Sequence, residues 1–185
     1  MPLPLLYLDV DGPLNVLNHW PEEPNNLTVH RVRPQCWVRQ HPNLHSDDVP
    51  ELVLRLNPDH GAELADLPYE LVWGTTWEEE ANEFIALRIG LPALPVVTWA
   101  NLDGFGPEGT YFKTAELVRH AAGRPFAWVD DQLDQADREY VARHHPAPAL
   151  LHYVDPAKGL DLDDFETLAA WVDTLPAEYQ PAASA

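Results

Sequence analysis

The chain has 185 residues, 45% of them apolar and seven of them Trp, enough for one domain with a full core. Acidic residues outnumber basic ones by 30 to 11, a formal net charge of −19, and the scattered Lys and Arg form no basic face of the kind that grips duplex nucleic acid. Extended nucleic-acid binding is therefore disfavoured, no run approaches the roughly 20 apolar residues of a bilayer span, and the lone Cys36 precludes an internal disulfide and fits a reducing, cytoplasmic setting.

Residues 3–9 open the chain as a short apolar strand that runs straight into Asp9, Val10, Asp11 and Gly12. Alternation along the strand puts both carboxylates on one side. Gly12 lets the backbone turn sharply and approach a ligand closely. One carboxylate could attack phosphorus or hold a metal; the other could act as general acid and base. A solvated turn would carry the same four residues, so this segment needs support from elsewhere.

Residues 15–57 are rich in Pro, Asn and His, with β-like runs at 27–32 and 51–56. They read as an insertion after the first strand, a hairpin flap with an irregular loop. A helix is expected over 59–67 and a second strand over 69–73. That strand leads into Gly74, Thr75, Thr76 and Trp77. Hydroxyls at a strand end and near a helix N-terminus suit a phosphate oxygen, although either Thr could simply cap the helix. Trp77 lies beside them and could stack on a ring of the substrate.

A helix over 78–89, a strand over 95–98 and a helix over 114–122 follow. Lys113 enters that last helix, where its ammonium could reach a phosphate and offset nearby carboxylates. A strand over 126–129 then ends in Asp130 and Asp131. Clustered carboxylates are costly to bury unless a cation joins them, and hard oxygen ligands suit Mg2+. Helices over 132–143 and 162–173 flank a last strand over 149–154, and residues 177–185 read as a tail. Strands alternating with helices imply an α/β domain with a central parallel sheet and helices on both faces. Ligands of such sheets bind at the carboxyl ends of the strands. Asp9, Asp11, Thr75, Lys113, Asp130 and Asp131 would all converge there.

Other motifs carry less. His41 and His45 lie four apart, but Pro42 and the missing interior Glu argue against a zinc helix. His144 and His145 suit a helix C-terminus. Gly104, Gly106 and Gly109 lack the Gly-Lys-Ser/Thr of a phosphate-cradling loop and are expected to shape the rim of the site.

Together these motifs resemble the haloacid dehalogenase (HAD) superfamily, mostly phosphatases. Asp9 and Asp11 match its first motif, Thr75 the second, Lys113 the third, and Asp130 with Asp131 the fourth. More narrowly, the segments around Asp9, around Trp73 to Trp77 with Ala81 and Asn82, at Leu91 and Pro92, at Trp128 to Asp131, and at Gly159 and Leu160 resemble the HAD domain of Swiss Army Knife RNA repair proteins. The resemblance implies a three-layer Rossmann-like HAD fold, a single domain over 1–176 with the 15–57 insertion as a cap-like flap. It implies a phosphomonoester hydrolase acting on a small phosphorylated substrate, such as a nucleotide, or on an RNA end. Asp9 would form an aspartyl phosphate, Asp11 would serve as acid and base, and Thr75 and Lys113 would hold the phosphoryl oxygens. Mg2+ would be held by Asp9, the main-chain carbonyl of Asp11 and Asp130, with Asp131 acting through water. Two alternatives stand beside it: a non-catalytic module that binds a phosphorylated ligand or a protein, and a phosphotransferase using the same nucleophile.

Overall fold

A computed structural model describes residues 2–17, 26–102 and 104–180. Part of the 15–57 insertion and the end of the expected tail, residues 18–25 and 181–185, lie outside the described residues. The centre is a four-stranded sheet of β1 (Leu5–Leu8), β4 (Glu70–Trp73), β5 (Phe126–Asp130) and β6 (Ala149–Tyr153), in the order β4-β1-β5-β6. All three pairings are parallel. The antiparallel pair β2 (Thr28–Val32) and β3 (Leu52–Leu56) forms a separate small sheet.

All four residues of β1 are buried, as expected of a central strand covered on both sides. Leu6 and Leu8 face one core with Leu64 of α2 (His60–Asp66) and with Phe165, Leu168 and Val172 of α6 (Leu162–Asp173). Leu5 and Tyr7 face the other core, with Leu117 and Ala121 of α4 (Phe112–Ala121) and Val141 of α5 (Gln135–His144). Helices therefore cover both faces, and the expected α/β architecture is present. Both α5 and α6 start with a reciprocal capping box, Asp134 with Asp137 and Asp161 with Asp164.

The small sheet packs on the first core through Val32, Leu54 and Leu56. Between its strands lies α1 (Gln35–Arg39), a helix with no counterpart in the sequence reading. Glu80 fastens it: its carboxylate accepts from the N–H groups of Gln35 and Cys36, at 2.5 and 2.7 Å. Asn15 ties the hairpin to the end of β1, because its side-chain oxygen accepts from Arg55 N–H at 2.9 Å.

Two more elements depart from expectation here. The strand expected over 95–98 is one parallel bridge between Trp73 and Val96. Pro92 and Pro95 lack the N–H that a longer ladder needs. The helix expected from residue 78 begins later, because Glu78 has φ 50°. A π-helical turn (Asn82–Ala86) leads into the short α3 (Leu87–Ile89). Asn82 is pinned from the sheet side: its Oδ1 accepts from Trp73 Nε1 and from Leu94 N–H, each at 2.8 Å. π-Helical turns occur mostly as single-turn bulges of this kind within helices.

Candidate active site

Register places the acidic residues. Leu8 lies opposite Trp73 on one side and Val129 on the other. Asp9 N–H donates to Val129 O at 3.0 Å, and Gly74 N–H donates to Leu8 O at 2.8 Å. Asp9, Asp130 and the turn carrying Thr75 thus leave three adjacent parallel strands at the same edge. This is where open α/β sheets place ligands.

Lys113 joins the carboxylates. It lies in the first turn of α4, is fully buried, and sets its Nζ 2.9 Å from Asp9 Oδ2 and 2.7 Å from Asp130 Oδ2. The rest of each carboxylate is also held. Val10 N–H donates to Asp9 Oδ1 at 2.8 Å. Gln132 N–H donates to Asp130 Oδ1 at 2.9 Å, and Trp128 Nε1 donates to Asp130 Oδ2 at 3.1 Å.

Electrostatics follow from this burial. Desolvation raises the Asp9 pKa, and Lys113 opposes that rise. Desolvation also raises Asp130, to about 6, again against the pull of Lys113. Asp131 rises to about 6 through burial and then through the charge of Asp130. For Lys113, burial disfavours the ammonium, but the charges of Asp9 and Asp130 outweigh it and hold the proton more tightly than usual.

One oxygen of each of Asp9, Asp130 and Asp131 lies within 4.8 Å of the others. Asp131 Oδ1 is buried and makes no hydrogen bond among the described residues. An orphaned carboxylate oxygen beside two buried carboxylates leaves room for a cation to complete the set. The donors are all hard oxygens, which fits Mg2+ and suits a thiol-seeking metal poorly. His41 and His45 belong to no such cluster among the described residues.

Asp11 sits apart from that trio. Its Oδ2 accepts from Trp77 Nε1 at 2.8 Å and its Oδ1 from Asn15 Nδ2 at 2.7 Å. The two donors fix the direction of the carboxylate. Trp77 is 3% exposed and packs beside Phe84, so it offers little face for stacking; its evident contact is with Asp11. Thr75 is fully buried, and its hydroxyl lies 3.4 Å from Trp77 N–H. Thr76 is partly exposed and lines a cavity of about 340 Å³ together with Asp9, Asp11, Lys113 and Tyr111. Gly104 borders the same cavity, whereas Gly106 and Gly109 do not line it.

The chain makes this crowding possible at Gly12. Its φ is 94°, and a Cβ there would meet the Asp131 Cβ and Cγ at 2.7 Å. Gly12→Ala adds left-handed strain and pushes Asp131 out of the trio. It should destabilise the fold by about 1–3 kcal/mol. Urea denaturation measures this; an unchanged midpoint would contradict the tight approach.

Several supporting residues escaped the sequence reading. Asn15 orients Asp11 and Trp128 contacts Asp130; Trp77, named in the sequence as a stacking surface, also orients Asp11. Asp137 is buried and accepts from Tyr111 N–H at 2.8 Å and from Thr114 Oγ1 at 2.5 Å. It thereby clamps the turn that carries Lys113. Its capping-box spacing to Asp134 was the one available signal, and it marks a helix start three residues later than residue 132. Among the described residues, no helix is long and apolar enough to cross a membrane. Comparison with family models, with curated proteins and with solved structures finds no match.

Proposed function

We propose that the chain is a HAD-type phosphomonoester hydrolase that depends on Mg2+ and works through an aspartyl phosphate on Asp9. The observation that carries this reading is the buried Lys113 ammonium bridging Asp9 and Asp130, next to an Asp131 oxygen without a partner. A structural ion pair has no need of a third, partly unsatisfied carboxylate, nor of an open cavity reaching Asp9 and Lys113.

In this mechanism Asp9 attacks the phosphorus. A bond forms between its carboxylate oxygen and phosphorus, and the ester bond to the leaving oxygen breaks. Asp11, aimed by Trp77 and Asn15, gives the leaving oxygen its proton. It then takes a proton from the water that attacks the phosphorus and frees Asp9. Lys113 and Thr75 hold the phosphoryl oxygens while charge moves across them. Asp9, Asp130, Asp131 and the main-chain carbonyl of Asp11 would hold Mg2+, which when bound supplies positive charge against the phosphate dianion. The substrate is a small phosphorylated compound or the end of an RNA strand; with a net charge of −19, contact with RNA would be confined to that end.

Phosphate release from a panel of monoesters, with Mg2+ and with a chelator, tests the reading. Turnover with Mg2+ that stops on chelation is expected. No release from any monoester would overturn it.

The carboxylates also set a pH dependence. Asp130 and Asp131, with pKa values raised to about 6, must lose their protons to bind a cation. Above that range both are charged and ready; below it, protons compete with the metal. The apparent Kd for Mg2+ should rise about 10- to 100-fold from roughly pH 7 to pH 5. Calorimetric titration measures this, and a constant Kd would contradict the ligand assignment.

A further inference from the structure

A second groove, of about 280 Å³, opens beside the catalytic cavity. The two share Asp11 and Thr76. Trp37, Gln40 and Leu52 line the groove, and the nearly buried Trp77 borders it with little exposed surface. Asp11, the acid of the proposed mechanism, therefore stands at the junction of the two spaces.

The groove is preformed. Trp37 Nε1 donates to Pro50 O at 2.8 Å, and its ring meets His41 edge-on at 4.4 Å. The Glu80 carboxylate holds the start of α1 against the body. A ring that is already fixed loses little freedom when a ligand stacks on it.

Its chemistry is equally defined. No Lys or Arg lines it among the described residues, and Asp11 is its one carboxyl group. A leaving group with a second phosphate or a carboxylate would meet no cation there. An aromatic and aliphatic lining, with the accessible Gln40 and Thr76 as its polar groups, matches a planar uncharged ring that carries hydrogen-bonding groups. The volume lies just below the roughly 300–1,000 Å³ of pockets that take drug-sized ligands, so it suits one ring system.

We propose that this groove is the leaving-group subsite, and that the preferred substrates are phosphomonoesters of uncharged, ring-bearing alcohols. The proposal rests on the hydrolase reading of the Asp9 site. Position supports it: a proton from Asp11 reaches the oxygen that joins the phosphoryl group in one cavity to the ring in the other.

Phenyl phosphate, a nucleoside monophosphate and glycerol phosphate separate the possibilities. Wild-type protein should show a kcat/KM at least tenfold higher for one or both ring-bearing esters than for glycerol phosphate. The stronger of the two distinguishes a simple aryl group from a nucleoside. Trp37→Ala should reduce this preference about 5- to 100-fold, the range expected for loss of one stacking surface. Trp37→Phe, which keeps an aromatic face, should retain most of it. A binding arm makes the outcome independent of turnover: the same three compounds are titrated into Asp9→Asn protein with Mg2+, with and without the Trp37 changes. Ring preference in binding without turnover would sustain the subsite and overturn the hydrolase reading. Turnover without ring preference, or an equal loss on all three esters in Trp37→Ala, would overturn the subsite.

Discussion

Replacing Asp9 with Asn should lower phosphate release by at least about 10³-fold while leaving the fold intact. The side chain keeps its shape, and its oxygen can still accept from Val10 N–H or face Lys113. What it loses is the nucleophile, since an amide oxygen is a far weaker attacking group. Stability should change little, because Asp9 is a buried carboxylate whose charged form burial already disfavours. Relief of the repulsion between the Asp9 and Asp130 carboxylates offsets part of the lost ion pair. The check is steady-state kinetics beside thermal unfolding of the same preparations. Residual activity within tenfold of wild type would remove Asp9 from the nucleophile's role.

Lys113→Ala should have the largest effect on stability, about 3–5 kcal/mol in metal-free buffer near neutral pH. The Nζ sits between two buried carboxylates, and neither has another cation within reach among the described residues. Without it, Asp9 and Asp130 face each other unpaired and their pKa values climb further. The sign with pH follows. The unfolded chain ionises these groups near the ordinary Asp value, whereas the folded variant retains their protons to higher pH. Stability of the variant therefore falls as pH rises from that value through the raised folded-state pKa, and then levels off. The penalty relative to wild type should be smaller at pH 5 than at pH 7. Mg2+ should recover part of it by supplying the missing positive charge. Urea unfolding at the two pH values, with and without Mg2+, measures all three effects. A midpoint equal to wild type at neutral pH would show that the Lys113 bridge contributes nothing to the fold.

Much of this site was legible in the sequence because it depends on short-range pattern. Four apolar residues ahead of Asp9 mark β1, and a similar run marks β5 ahead of Asp130. Period and capping residues define α6, whose observed span coincides with the expectation of residues 162–173. Strand and helix alternation then brings the strand ends to one edge without further information. What was not legible depends on contacts between distant residues. Trp77 reads as a stacking surface until its indole is seen on Asp11, 66 residues away. The sequence around Val96 looks like a strand; its prolines and the lack of a longer partner reduce it to one bridge. The helix α1 is five residues long and held by Glu80 from outside its own segment, so local periodicity could not reveal it. Asp137 illustrates the same limit: the capping box is local, but the clamp on the Lys113 turn is not.

The most direct measurement is identification of the phosphorylated residue. Protein turning over a monoester in Mg2+ is quenched in acid, reduced with borohydride and digested, and the peptides are read by mass spectrometry. Reduction converts an aspartyl phosphate to homoserine, so conversion at position 9, dependent on substrate and Mg2+, is the expected result. Turnover with no conversion at Asp9, or conversion at another carboxylate, would contradict it.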